Sequence, residues 1–463
     1  MEGRRRGGRI GLRRSLAWTI AAGAVLAAAL PALAAPARTT LVSKTSTGEP
    51  ADGGSTRPSI SASGRFVAFE SVAENLPGSN VNDQVYVHDR KTGKTKFVGK
   101  TSAGEPAVNC AHPAISASGR FVVFDSNDAN LPGGAPNDVY VHDRKTGKTR
   151  LISRTSAGIP ADGDSGFASI SASGRYVAFN SEATNLPGGT GVYPLIYVHD
   201  RKTGRTRLAS KTSAGEPAAG GQSVGALLSP SGRWVGFESN ATNLGGDDSI
   251  TDVFVHDRKT GRTRLVNRNS AGDPATGGDS YGGWLSASGR FVGFESGAVN
   301  LAGDDSVFDS YVRDLKTGKT KLISKTSAGA PATGDDSFHA FISASGRFVA
   351  FVSSADNLPG DDDWRNGYVH DLKTGKTRLV SRTSAGDPAT GGNSDRGVLT
   401  PTGNYIAFPS EATNLPGDDA VSDIYVRGRL RYDAGRYAAA GAIARSATGL
   451  PVGVANEGCA MFR

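Results

Sequence analysis

Three acidic triplets carry the most explicit coordination chemistry in this 463-residue chain. Asp247, Asp248 and Asp252, then Asp304, Asp305 and Asp309, then Asp418, Asp419 and Asp423 each place three carboxylates within six residues. Hard oxygen ligands at that spacing suit a structural Ca²⁺, although the alternating Asp-x-Asp-x-Asp-Gly of a calcium loop is absent. No other cofactor is indicated. A second set is nitrogen-bearing. His112 and His339 lie seven residues before a recurrent turn glycine, where the other copies carry Arg57, Phe167, Gly225, Gly282 and Arg396. An arc of Arg57, His112, His339 and Arg396 would suit an anionic ligand, and ordinary loop variation accounts for the same residues equally simply. His88, His142, His199, His256 and His370 differ from these. All precede Asp at one repeated position, where Arg313 and Arg427 substitute, so they read as structural.

Linear enzyme signatures are absent. The chain has no His-Glu-x-x-His, no phosphate-cradling loop and no Cys-x-x-Cys, and its two Gly-x-Ser-x-Gly strings, Gly221–Gly225 and Gly278–Gly282, have no helical segment after them to form a nucleophile elbow. Ser229-Pro-Ser-Gly-Arg-Trp234 is similar to the Asp-box of sialidases but lacks its aspartate. No catalytic residue is assigned, though a propeller enzyme can build its site from dispersed channel residues.

The elements that must position these groups follow from one phrase, Ile60-Ser-Ala-Ser-Gly-Arg-Phe-Val-Ala-Phe-Glu-Ser71. It recurs with glycines at Gly64, Gly119, Gly174, Gly232, Gly289, Gly346 and Gly403, spaced 55 to 58 residues apart. A seven-fold repeat of that length is an array of supersecondary units. In the unit 165–215, strands are predicted over 168–171, 175–181, 196–200 and 206–211. The second is rich in β-branched and aromatic residues. Arg201-Lys-Thr-Gly204 is a hairpin turn, with Asp200 bonding its amides and Gly204 taking positive φ. Four antiparallel strands repeated seven times predict an all-β, seven-bladed β-propeller over 35–428.

The last unit has strands predicted at 397–400, 404–409 and 423–427 but no fourth. Thr39-Thr-Leu-Val-Ser-Lys-Thr-Ser46 matches Thr377-Arg-Leu-Val-Ser-Arg-Thr-Ser384, so the N-terminal strand is expected to complete blade seven and remove two open edges. His339, Arg396, Arg57 and His112 then fall on neighbouring blades, near the channel mouth.

These phrases resemble the propeller repeats of the TolB type, where a Ser-x-Asp-Gly-Arg-x-Val-Ala-Phe strand pair precedes an Ile-Tyr-Val-x-Asp-x-x-Thr-Gly hairpin. They are also similar to WD-like repeats of exported bacterial proteins, as Thr242-Asn-Leu-Gly-Gly-Asp-Asp-Ser-Ile-Thr-Asp-Val-Phe-Val-His-Asp257 illustrates. Ser replaces the family's Asp before the turn glycine, as at Ser63 and Ser118. The resemblance implies an interaction scaffold, or a propeller of the kind that accompanies peptidase domains. With no hydrolase domain in this chain, it does not imply a peptidase.

Residues 1–34 read as an export signal: an Arg-rich start, an apolar run from Leu16 to Leu30, and Ala32-Leu33-Ala34 as a cleavage site. Arg13-Arg14-Ser-Leu resembles a twin-arginine signal, with the general secretion route as the alternative. The expected location is periplasmic or extracellular, with no transmembrane segment after signal removal. The signal carries +5 of the formal +8, and the Ala/Gly/Arg-rich tail 429–463 another +3. The ring itself is near neutral, so the high pI is no argument for nucleic acid. Cys110 and Cys459 are the only cysteines, and either a disulfide or two free thiols fits them.

Strand alternation sorts the loops onto two faces. The Ala-Ser-Gly-Arg and Arg-Lys-Thr-Gly turns share one, with Arg65, Arg120, Arg175, Arg233, Arg290 and Arg347. The Asn-Leu-Pro-Gly loops share the other, with the acidic triplets and Asp361 and Asp362. Either the ring is bipolar, basic against acidic, or these are solvated turn residues. The leading expectation is a monomeric, non-enzymatic scaffold for a protein or cell-envelope component. The alternative is a lyase- or lactonase-type enzyme using the arc on an anionic carbohydrate or lactone.

Overall fold

Each repeat supplies one strand of mixed polar and apolar residues, two apolar strands and one short strand in which charged residues alternate with others. In the first repeat these are Ser55–Ile60, Phe66–Ser71, Gln84–Asp89 and Lys94–Phe97. Every residue of Gln84–Asp89 is buried, because this strand has a neighbour on each side and another blade on each face. Lys94–Phe97 alternates exposed Lys with buried Thr95, and its charges guard the outer edge. The computed structural model describes residues 38–78, 83–133, 137–246, 250–303, 307–360, 364–417 and 421–428. The proposed signal and C-terminal tail, with Cys459, lie outside these.

The seven four-stranded antiparallel sheets form the predicted propeller. The unit beginning at Ser165 has strands at Ser165–Ile170, Tyr176–Ser181, Leu195–Asp200 and Arg205–Leu208. The first is longer than predicted and the last shorter, because a bridge from Lys211 to Pro217 already begins the crossing to the next blade. The first strands of successive blades touch one another around the axis. The ring closes as expected: Thr39–Leu41 pairs with Asp423–Gly428, Thr39 opposite Arg427. No helix among the described residues is long and apolar enough to cross a membrane.

What joins blade to blade is a repeated seam. The aromatic residue two positions after each turn glycine lies against the turn glycine of the next blade. A Cβ added to Gly64 would stand 2.6 Å from the Tyr405 ring, and one on Gly346 would stand 2.6 Å from Phe291. Gly119 meets Phe66, Gly174 meets Phe121, Gly232 meets Tyr176, Gly289 meets Trp234 and Gly403 meets Phe348 in the same way. The contact therefore runs through all seven junctions, including the one that closes the ring. Glycine is required twice over, since these turns also take φ near +70°.

The turn arginines are not the free cations of a basic face. Arg65 Nε and Nη2 donate to Asp89 Oδ1 and Oδ2 at 2.7 and 2.6 Å, and its guanidinium lies 4.6 Å from the Phe66 ring centre. The same bidentate pair recurs as Arg120–Asp143, Arg175–Asp200, Arg233–Asp257, Arg290–Asp314 and Arg347–Asp371. Asp89 accepts from the Lys91 amide as predicted, and it neutralises the arginine of its own blade as well. The hairpin aspartate lies only 24 residues from that arginine, across one strand pair.

The seam makes a sharp prediction about two glycines of nearly equal φ. At Gly147 (φ +73°) an added Cβ meets nothing within 4 Å. Gly147→Ala is therefore expected to cost only the backbone strain, about 1 kcal/mol. Gly119→Ala (φ +74°) adds a collision with Phe66 and is expected to cost roughly 2–4 kcal/mol in denaturant unfolding. Equal losses would show that the close approach constrains nothing.

Candidate functional site at the channel mouth

The first strand of each of blades one to six breaks register against the second, as between Thr56 and Ser59 or Phe338 and Phe341. At this bulge the residue seven before the turn glycine takes positive φ: Arg57 +48°, His112 +52°, Phe167 +51°, Gly225 +69°, Gly282 +106° and His339 +61°. Four are not glycine, and holding an L-residue there costs of order 1–3 kcal/mol. In blades two, five and six the bulge turns the backbone amide toward a carboxylate on the second strand of the preceding blade. His112 N donates to Glu70 Oε2 at 3.0 Å, Gly282 N to Glu238 Oε1 at 2.8 Å, and His339 N to Glu295. A hydrogen bond to a charged acceptor contributes roughly 1.5–3 kcal/mol, enough to offset the strain.

The four residues of the expected arc do come together. Arg57 Nη1 donates to Glu70, the same side chain that binds the His112 amide. His112 Nδ1 lies 2.9 Å from Asp125 Oδ2, and its ring lies 4.2 Å from that of Phe167. His339 lies 3.6 Å from Glu295 and 3.8 Å from Asp395, with the Trp284 ring edge-on. Arg396 donates its backbone amide to Asp395 Oδ1 at 2.6 Å, and its side chain feels Arg57, Glu70 and Glu295. Desolvation lowers its pKa, with Asp395 opposing the shift. Each side-chain cation or imidazole of the arc thus faces a carboxylate, so the arc is a charge-compensated network rather than an open anion site.

Those carboxylates are what the sequence reading missed. Glu70, Asp125, Glu238 and Glu295 all stand six residues after a turn glycine, where the other blades carry Asn180, Val352 and Pro409. A carboxylate inside an otherwise apolar six-residue strand was the available signal. Glu238, away from the arc, and Glu295, which binds His339 within it, are both pushed up to about 7, chiefly by desolvation, with each backbone hydrogen bond opposing it. Tyr281, next to Gly282, is raised to about 12 by desolvation and by Asp279. Burial on this side of the mouth thus favours the protonated forms of both glutamates and of Tyr281.

The repeated histidines are structural. His88 Nδ1 lies 2.9 Å from Thr95 Oγ1, which itself donates to the Lys44 carbonyl, so Nδ1 must carry the proton. Burial lowers all five repeated histidines to about 4, leaving them neutral. Arg313 and Arg427 reach the same threonine position and add backbone carbonyls. Of the calcium candidates, Asp247, Asp248, Asp304, Asp305, Asp418 and Asp419 lie outside the described residues, as do Asp361 and Asp362. Asp252, Asp309 and Asp423 are buried and tie the third strand to the fourth by accepting from Asn267, Ser324 and Ser43. Asp138 does the same with Ser153 at 2.5 Å without an acidic triplet. Among the described residues no group of three or more His, Cys, Asp or Glu is placed to hold a metal. Cys110 is a buried free thiol, raised to about 12 by desolvation.

No family model and no curated protein matches the chain. Among solved structures, the propeller domain of the Trilobed protease from Pyrococcus furiosus superposes with a TM-score of 0.52 at 11% identity, covering 84% of this chain and 99% of that one. An oligogalacturonate lyase in complex with manganese gives 0.51 at 12% identity, covering 85% and 96%. TolB from Acinetobacter baumannii gives 0.38 at 16% identity, covering 74% and 67%. At these identities the likeness is one of fold, the propeller that the repeat resemblance implied.

Glu238 provides a pH test. Its folded pKa, near 7, exceeds the unfolded value of about 4.5, so the charged form is penalised in the folded state. The penalty is absent below about pH 4.5 and complete above about pH 7. Glu238→Gln is therefore expected to gain roughly 1–3 kcal/mol over the parent protein on going from pH 5 to pH 8. A pH-independent difference in unfolding free energy would contradict the assignment.

Proposed function

We propose that this chain is an exported, non-enzymatic propeller that binds a protein of the cell envelope through its loop face. The observation that carries the reading is the placement of exposed apolar side chains. Val72, Val108, Phe167, Val192, Tyr193, Val299 and Trp364 are all exposed, and by strand direction all lie on the face that holds the channel mouth. Among the described residues only Ile159, of the large exposed hydrophobic residues, lies elsewhere. Apolar side chains that share one face and are set among polar loops support a protein-binding role for that face. The compensated arc supports the same reading, because its cations are already held by carboxylates.

A second reading has its own support. Four strained non-glycine residues and two glutamates near neutral pKa meet at the mouth. Such strain and such shifts concentrate at active sites. An enzyme of the lyase or lactonase type acting on an anionic carbohydrate or lactone would use them.

The test is a pull-down from cell-envelope extract with tagged protein beside two double variants. The scaffold reading expects one stoichiometric partner. It expects that partner to be retained by Arg57→Ala/Arg396→Ala and weakened at least about tenfold by Val192→Asp/Trp364→Asp. Absence of a partner, together with turnover of an anionic glycan or lactone that the Arg57/Arg396 variant loses, would overturn it in favour of the enzyme.

A further inference from the structure

The turn face, opposite the proposed docking face, carries a charge asymmetry. Between blades two and three a cleft of about 300 Å³ is lined by Arg120, Phe121, Asp143, Lys148, Arg150 and Arg201, among others. Four of these are cations. The one carboxylate, Asp143, is already held by both forks of Arg120. Arg201 stacks 4.1 Å above Phe121 and gives one donor to the Gly174 carbonyl. The rest of its fork makes no hydrogen bond among the described residues. Lys148 and Arg150 are exposed on the outermost strand.

The same set recurs on both sides. The seam of blades one and two has Arg65, Lys94, Lys96 and Arg144 around Asp89, with Arg144 4.4 Å from Phe66. The seam of blades three and four has Arg175, Arg205, Arg207 and Arg258 around Asp200, with Arg258 4.1 Å from Tyr176. The run then stops, because Leu315 and Leu372 occupy the arginine position in blades five and six and pack into the core instead. Three consecutive seams therefore each set four cations against one neutralised aspartate. The turns bonded to these outer strands bring Glu49, Glu105 and, at the third seam, Ile159. Neither glutamate forms an ion pair among the described residues.

We propose that these three seams form one binding track for an acidic polysaccharide, each seam seating one carboxylate or sulfate group. Guanidinium forks with open donors match planar or tetrahedral oxyanions, and the neighbouring lysines add charge without demanding geometry. Sites repeated at the blade interval turn weak single contacts into avidity along a chain. Single-stranded nucleic acid fits less well. Its affinity draws on bases stacking on aromatic faces, and Phe66, Phe121 and Tyr176 are covered on both sides by arginines. The track is independent of the docking face, so either assignment can fail alone.

Fluorescence anisotropy with labelled alginate, dextran sulfate, neutral dextran and a 20-nucleotide DNA tests the track on the full chain. Alginate or dextran sulfate should bind and neutral dextran should not, and whichever acidic glycan binds identifies the oxyanion. Arg150→Glu/Arg207→Glu should weaken binding at least about tenfold and flatten its salt dependence. Arg264→Glu/Lys321→Glu, at the leucine-bearing seams, should change it less than about twofold. If the charge reversals unfold the protein, Arg150→Gln/Arg207→Gln is expected to keep the fold and the same rank order. The proposal is overturned if no acidic glycan binds, if both variant pairs weaken binding equally, or if the DNA binds more tightly than either glycan.

Discussion

The structure depends on one contact repeated seven times, an aromatic ring seated on the bare turn glycine of the next blade. Each blade alone is a four-stranded sheet with two apolar faces and cannot bury both. The ring supplies the burial, and the glycine lets the backbone of one blade come within reach of its neighbour's aromatic side chain. A side chain at the turn would hold two blades apart, and in a closed ring that gap has nowhere to go. The last contact, Tyr405 on Gly64, lies beside the strand exchange that brings Thr39–Leu41 into blade seven. Closure is therefore made by side-chain packing and by backbone pairing at the same junction.

The seam also decides where charge is available. Turn arginines flank the aromatic ring in blades one to six, and Arg90, Arg144, Arg201 and Arg258 of blades one to four flank the ring of the preceding blade, so they serve the fold before they serve a ligand. The turn arginines are tied to the hairpin aspartates and hold those carboxyls well below the usual range. The charge left over lies on the outer strands and in the next-blade arginines, and leucine at two positions confines it to one side of the ring. On the loop face the balance is reversed: buried carboxylates at the channel mouth hold the bulges, the arc's cations compensate several of them, and Glu238 stays apart.

The architecture was legible because it is written locally and seven times. Strand phrases, turn glycines and the match of Thr39–Ser46 to Thr377–Ser384 fix blade number and closure without any knowledge of long-range contacts. The positions of Arg57, His112, His339 and Arg396 were legible for the same reason. Their chemistry was not, since the amides of His112 and His339 bind carboxylates on the preceding blade, more than 40 residues away, in strands that otherwise read as apolar. The turn-face arginines misled in the same way: a bidentate pair with an aspartate 24 or so residues on is invisible to a count of charges per face. The buried Asp252, Asp309 and Asp423 show the converse, a ligand-like spacing in which one carboxylate of each triplet ties two strands together.

The most direct test of the seam is a double-mutant cycle between Phe66 of blade one and Arg144 of blade two, whose guanidinium lies 4.4 Å from the ring centre. Unfolding free energies of Phe66→Leu, Arg144→Gln and the double variant should reveal a coupling of about 0.5–1.5 kcal/mol across the blade boundary. Additive losses, within about 0.3 kcal/mol, would contradict the claim that the stacked seam joins the blades.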